Sequence, residues 1–413
     1  MHNTRKHFLL SLVDQCAVSG ANFLTIALGA AFLPIGEQGK LVYTYTAYIA
    51  LVLFNVSAFF STANIVRNEV NADDRYRYLL LSAQMFSAPL SSVMLLLGLI
   101  VFQGALQWQV TAQETALLLA FLIFQQFADF YRRSGYVFGW IGRSAVQSMW
   151  LYGTRIAAIL YFRPESLSGF LLAMSLPALP PALRGVTEFI RDRGDYGDAN
   201  RDIARFHQGL SKWNVYGAPL RWAGLHLPIL LVGALHSLEA AAILGTLRAI
   251  TTFANVLLEM LETFVPAWLS ARLQKGEKAL RSGSLALLGI GALLWFGGAA
   301  AIALFGEALV LYVLGAQYAE YTLILHIVWL GNGIYFASRA VGLHYRMKQN
   351  SRLEFLGLAI GVGALLLSIP LIPLYGAWGG AWCLNIVQIA TLASLLVYRL
   401  RYRISGRQQG RTE

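Results

Sequence analysis

The basic residues of this chain collect at alternate junctions between about twelve long apolar runs. With the N-terminus placed in the cytoplasm, the inner segments carry 26 of the 32 Lys and Arg residues, and the outer loops carry Lys40 and Arg163. The remaining four, Arg155, Arg221, Arg248 and Arg339, lie inside apolar runs. A bias of this kind fixes orientation across a bilayer, because basic segments stay on the cytoplasmic side. It predicts a multi-pass protein of the bacterial inner membrane with both termini in the cytoplasm. It also makes the four embedded arginines the first functional suspects, since a charge inside lipid is costly.

The expected spans are 8–33, 41–65, 78–103, 114–131, 144–162, 166–184, 213–235, 239–268, 283–305, 319–345, 351–370 and 377–398. Each is near the roughly 20 apolar residues a helix needs to cross. Only 13% of residues are charged, against about a quarter in a soluble domain. The net charge of +11 is spread over the inner mouths of the spans and forms no basic domain, which argues against nucleic acid. Cys16 and Cys383 sit in separate apolar runs, with no disulfide framework and no metal spacing. The first run keeps Asp14 and Gln15 and lacks a small-residue cleavage site, so it reads as a retained helix.

The longest polar stretch sits midway and divides the chain into an N-terminal six-helix bundle (1–184), a cytoplasmic amphipathic linker (185–212) and a C-terminal six-helix bundle with a basic tail (213–413). Within the linker, Ile203, Phe206, Leu210 and Trp213 follow helical spacing opposite Arg201, Arg205 and Lys212, the pattern of a helix lying on the membrane face. The halves share a unit: residues 24–48 and 226–250 each run from an apolar span through a short turn with Glu (Glu37, Glu239) into the next span. Six spans per half make the repeat parallel, an arrangement found in transporters with a site between the halves.

The eighth span shows the clearest polar pattern. Arg248, Thr252, Asn255, Glu259 and Glu262 are spaced 4, 3, 4 and 3, which aligns them on one helix face. Such a stripe must face protein or water. It is read as the wall of a hydrated cavity; an ion-pair ladder between helices is the plain alternative. Asp14 reads equally as a first-turn carboxylate answering the helix dipole and as an ion site. Arg221 lies about 12 Å inside the seventh span, ahead of Pro228. Arg155 is deep in the fifth span. Arg339, near an inner end, is expected to snorkel to the surface, and Asp129 to pair with Arg132 or Arg133. Glycine-rich runs at 297–306 and 361–364 read as packing surfaces. No phosphate-binding loop, dinucleotide fingerprint or metalloprotease motif is present. The chain reads as a transporter, not an enzyme, with no cofactor and with H⁺ or Na⁺ as candidate coupling ions.

The opening LLSLVDQCAVSGANFLTIALGAAFLPIGEQGKLVY, with Gly36, Glu37, Gly39 and Tyr43, resembles the first span and turn of the Wzx-type polysaccharide flippases of the multidrug/oligosaccharidyl-lipid/polysaccharide (MOP) exporter superfamily. The segments GAQYAEYTLILHIVWL, SRAVGLHYRMKQNSRLEFLGL and IPLIPLYGAWGGAWCLNIVQ resemble the second half of the same proteins. The resemblance covers the whole chain and rests on helix patterns. It implies two six-helix bundles around a central cavity lined by spans 1, 2, 7 and 8. It implies movement of an undecaprenyl-diphosphate-linked oligosaccharide, a repeat unit of O-antigen or exopolysaccharide, between leaflets. Polymerase or glycosyltransferase partners would accompany it. Arg248, Arg221 and Arg155, with Thr252 and Asn255, would meet the anionic cargo, because guanidinium forks match phosphate oxygens. Asp14, Glu259 and Glu262 would carry ion coupling. A cation-coupled antiporter of the MATE (multidrug and toxic compound extrusion) branch is the alternative. It would centre on those same three carboxylates.

Overall fold

A computed structural model describes residues 2–63, 66, 73–104, 108–191, 197–251, 265–347 and 351–409. Among the described residues the chain is helical and has no strand. The helices are α1 (His2–Phe32), α2 (Ile35–Asn55), α3 (Asp73–Val101), α4 (Ala112–Val137), α5 (Ile141–Phe162), α6 (Leu167–Ser175), α7 (Leu179–Arg191), α8 (Gly197–Leu235), α9 (Leu238–Thr251), α10 (Val265–Leu273), α11 (Glu277–Leu309), α12 (Thr322–Met347), α13 (Ser351–Ser368), α14 (Leu371–Tyr375) and α15 (Ala377–Gln409). Each of the twelve expected spans falls on this helical framework. The span at 239–268 is described only at its two ends.

Seven helical segments are long and apolar enough to cross a membrane: Leu9–Phe32, Ile35–Phe60, Asp74–Val101, Leu167–Arg191, Arg201–Leu235, Glu277–Leu314 and Ala377–Tyr398. The burial pattern is that of a protein dissolved in lipid. The segment Glu277–Leu314 is the most apolar of the seven, yet only 6% of its apolar window is buried. In water such a helix would turn its side chains inward. Here Leu293, Leu304 and Tyr312 point outward, Tyr312 at 85% exposure. Helices α4 and α12 fall short of the same measure because they carry internal charges, among them Asp129, Arg132 and Arg339.

The chain divides into two compact units. Unit 1 comprises residues 1–219 and 237–249; unit 2 comprises residues 220–236 and 250–413. In unit 1, α1 packs along α5, and α4 lies at the centre, touching α2, α3, α5, α6 and α7. The beginning of α9 joins this unit by packing on α2. Gly39 lies against Leu238 and Gly245 against Val42, so closely that a Cβ at Gly245 would come within 2.2 Å of Val42. Gln38 Nε2 donates to Thr246 Oγ1 at 2.9 Å. The two turns matched in the sequence repeat also match locally, since Glu37 and Glu239 each fall in the first turn of a helix. There a carboxylate complements the helix dipole.

The amphipathic segment of the linker is continuous with the seventh span in the 39-residue helix α8. Ile203 packs into a core with Tyr76, Leu80 and Phe130. His207 bonds Tyr76 through Nδ1 at 2.9 Å and the carbonyl of Ala58 through Nε2 at 2.5 Å. Phe206, Leu210 and Trp213 remain exposed.

In unit 2 the outermost contact is an exchange between two tryptophans. Trp295 of α11 donates its indole N–H to the carbonyl of Trp329 at 3.0 Å, and Trp329 of α12 donates to the carbonyl of Trp295 at 3.0 Å. Each indole needs a residue without a side chain beneath it. A Cβ at Gly298 would sit 2.1 Å from the Trp329 ring, and one at Gly333 would sit 2.3 Å from Trp295. The glycine run at 297–306 is thus a packing surface, and Gly361, under Thr391, serves likewise on α13. Gly298→Leu is expected to separate α11 from α12 and lower stability by about 1–3 kcal/mol, the usual cost of overpacking. Thermal unfolding of purified protein in detergent, read against Gly297→Leu, where the space is open, checks this; equal melting temperatures would refute it.

Candidate functional site

The polar interior of unit 1 is built on α4. Its start is fixed by a capping box: the Thr111 hydroxyl accepts from the Glu114 N–H at 3.2 Å, and the Glu114 carboxylate accepts from the Thr111 N–H at 2.9 Å. From there Gln125, Asp129, Arg132 and Tyr136 recur at intervals of 4, 3 and 4, one face of the helix. The first three are buried, and Gln126 is buried beside them.

Asp14 of α1 meets this face. It lies in the fourth turn of α1, is wholly buried, and is not the first-turn carboxylate considered from sequence. Its Oδ2 accepts from Arg132 Nη1 at 2.9 Å and from Tyr136 OH at 2.6 Å. Its Oδ1 accepts from the Ser148 hydroxyl of α5. Arg132 Nε lies 3.4 Å from Asp129, as expected for that carboxylate, and Tyr48 OH of α2 donates to the other Asp129 oxygen at 2.6 Å. Gln126 accepts from Asn55 at 2.9 Å and donates to Ser92 at 2.8 Å.

Arg155 of α5 completes the cluster. It is fully buried, donates through Nη2 to Gln125, and stacks over Tyr152 at 5.0 Å. Its Nε and Nη1 have no hydrogen-bond partner. Two carboxylates and two guanidiniums make the cluster neutral overall. It joins α1, α2, α4 and α5, and Gln126 extends it to α3.

Unit 2 holds a second cluster of opposite balance. Glu354 of α13 lies against Arg339 of α12 and 3.6 Å from Arg221 of α8. All three are buried. Arg339 therefore does not snorkel outward; it is an internal ion-pair partner, because Glu354 lies within reach across Gly342. Two guanidiniums against one carboxylate leave one positive charge in excess. Arg221 Nε has no hydrogen-bond partner.

The expected stripe on the eighth span is placed only at its first member. Arg248 is partly buried on α9 and is engaged in an interaction. Thr252, Asn255, Glu259 and Glu262 lie outside the described residues. The sequence reading missed the stripe on α4, although its spacing repeats the one noticed on the eighth span. Four intervening apolar residues, Phe127, Ala128, Phe130 and Tyr131, hid it.

No family model and no curated protein matches the sequence. Solved structures do match in fold. An inward-facing multidrug resistance MATE family transporter of the MOP superfamily superposes with a TM-score of 0.68 at 14% identity, over 98% of this chain and 96% of the other. An outward-facing one gives 0.68 at 14% over 97% and 95%. A mutant of the Vibrio cholerae MATE transporter VcmN gives 0.66 at 15% over 96% of each chain. The chain has the fold of these transporters along essentially its whole length.

Removing one member of a buried ion pair leaves the other charge unmet and costs about 3–5 kcal/mol. Asp14→Ala is expected to lower membrane abundance and melting temperature by that route, and Asp14→Ala with Arg132→Met to recover part of the loss. A thermal-shift series in detergent reads both. A neutral Asp14→Ala would remove the structural role assigned to this pair.

Proposed function

We propose that this protein is a transporter of the bacterial inner membrane that flips an anionic, diphosphate-linked lipid oligosaccharide between leaflets by alternating access. The observation that supports this cargo is the positive excess around Arg221, Arg339 and Glu354. A diphosphate entering there exchanges one anion for another on the Arg221 guanidinium, so no buried cation is left unmet. Arg221 is the looser of the two partners of Glu354, at 3.6 Å, and is the residue we assign to the diphosphate. Arg248, Thr252 and Asn255 are assigned to the same cargo on their spacing in sequence. Both termini are assigned to the cytoplasm on the Lys/Arg bias. Alternation is supported by the likeness to transporters solved in inward-facing and outward-facing forms.

The cation-coupled antiporter is the second reading. Its support is the buried pair Asp14 and Asp129 in unit 1, together with neighbours described as multidrug resistance transporters. Both oxygens of Asp14 already hold donors, including Arg132. A cation would have to displace that guanidinium, which makes the site the weaker of the two for cargo. The proton or sodium ion that drives transport is assigned to Asp14, Glu259 or Glu262 under either reading.

Purified protein in proteoliposomes, loaded with a fluorescent undecaprenyl-diphosphate-linked glycan, tests the cargo. Arg221→Ala is expected to slow flipping at least about tenfold with normal abundance, the loss of one charge-assisted contact. Arg221→Lys should keep part of the rate, since it retains the charge without the fork. An Arg221→Ala, Arg248→Ala protein that flips at the normal rate would end the diphosphate reading in favour of the antiporter.

A further inference from the structure

A cleft of about 440 Å³ lies wholly within unit 1, between the start of α3, the joined ends of α4 and α5, and α7. Its lining is strongly basic. Arg77, Arg143 and Arg184 reach it, against the single lining carboxylate Glu188. That carboxylate is already occupied: it accepts from Tyr131 OH at 2.9 Å and Arg184 Nε at 2.8 Å, with Arg77 Nη1 3.7 Å away. Two positive charges remain in excess.

Two of the guanidiniums are held on one ring. Arg77 and Arg143 lie 5.6 and 5.7 Å from the centroid of Trp140. Like charges gathered on one indole repel unless an anion bridges them. A neutral donor is also supplied. Ser134 lines the cleft at 3% exposure, and its hydroxyl has no hydrogen-bond partner. Three forked cations, one buried hydroxyl and a flanking indole form a phosphate-binding set.

The surroundings select the source of the phosphate. On α7, which carries Arg184 and Glu188, Leu183, Val186 and Ile190 are all exposed at spacings of 3 and 4. Val146, Met149 and Trp150 are exposed along α5. The cleft thus stands where lipid-facing stripes reach the headgroup level, on the side the Lys/Arg bias assigns to the cytoplasm, the leaflet surface whose anionic lipids draw basic groups.

We propose that this cleft binds the headgroup phosphate of an anionic phospholipid, with its acyl chains lying along the α5 and α7 stripes. The site is separate from Arg221 and does not depend on which cargo the protein carries.

Full-length protein in neutral detergent, titrated with phosphatidylglycerol, phosphatidylcholine or inorganic phosphate and read by native mass spectrometry and melting temperature, tests this. Phosphatidylglycerol should bind and raise the melting temperature, while the other two leave it unchanged. Ser134→Ala with Arg143→Ala should weaken phosphatidylglycerol binding about tenfold, the scale of one charged and one neutral hydrogen bond together. Arg143→Lys should keep most of it. Arg143 is exposed, so Arg143→Ala alone serves if the double variant fails to fold, and should weaken binding about threefold. Undiminished affinity in these variants, or an equal response to phosphatidylcholine, would overturn the proposal. A shift reproduced by inorganic phosphate would overturn the lipid as occupant and leave a site for free phosphate.

Discussion

Helix α4 cannot face lipid along Gln125, Asp129, Arg132 and Tyr136. In a bilayer no water satisfies those groups, so each must find its partner on another helix. That constraint places α4 at the centre of unit 1 and decides what stands around it. Asp14 draws in α1, Tyr48 and Asn55 draw in α2, Ser92 draws in α3, and Ser148 with Arg155 draws in α5. Hydrophobic burial cannot choose these neighbours, because lipid tails are as apolar as leucine. The polar network chooses them.

The helices and their order were legible in the sequence because apolar length and basic junctions are local signals. The ends of the repeat were legible for the same reason: Glu37 and Glu239 each open a helix. Partners were not legible. Arg339 looked free to reach the surface because its answering charge, Glu354, lies fifteen residues on, beyond a turn and on the next helix. Asp14 looked like a terminal carboxylate because its partner Arg132 is 118 positions away. The stripe on α4 showed the same spacing as the one read on the eighth span, but mixed with aromatics it did not stand out from an amphipathic core helix. Three-dimensional pairing separates a charge that fastens helices from a charge kept for cargo, and spacing alone does not.

The two units solve the problem of internal charge differently. Unit 1 balances two carboxylates with two guanidiniums and distributes the bonds over four helices. Unit 2 sets two guanidiniums on one carboxylate and leaves the excess in place. A neutral, fully engaged network is the more rigid arrangement, since any movement breaks several charged bonds together. A cluster with one shared carboxylate has a cheap alternative state, because an arriving anion takes the place of Glu354 on one arginine while the other keeps it.

That asymmetry bears on how ion and cargo would be divided between the units. A cation brought to Asp14 competes with Arg132 for the same oxygens, so its binding and the loosening of α1 from α4 are one event. An anion brought to Arg221 competes only with the longer of two contacts to Glu354. Coupling in unit 1 therefore changes how helices are fastened, whereas binding in unit 2 changes which anion an arginine holds. A driving ion belongs with the first kind of site, where its arrival shifts an equilibrium between arrangements through differential affinity. A diphosphate belongs with the second, where a site must release its ligand as readily as it accepts it.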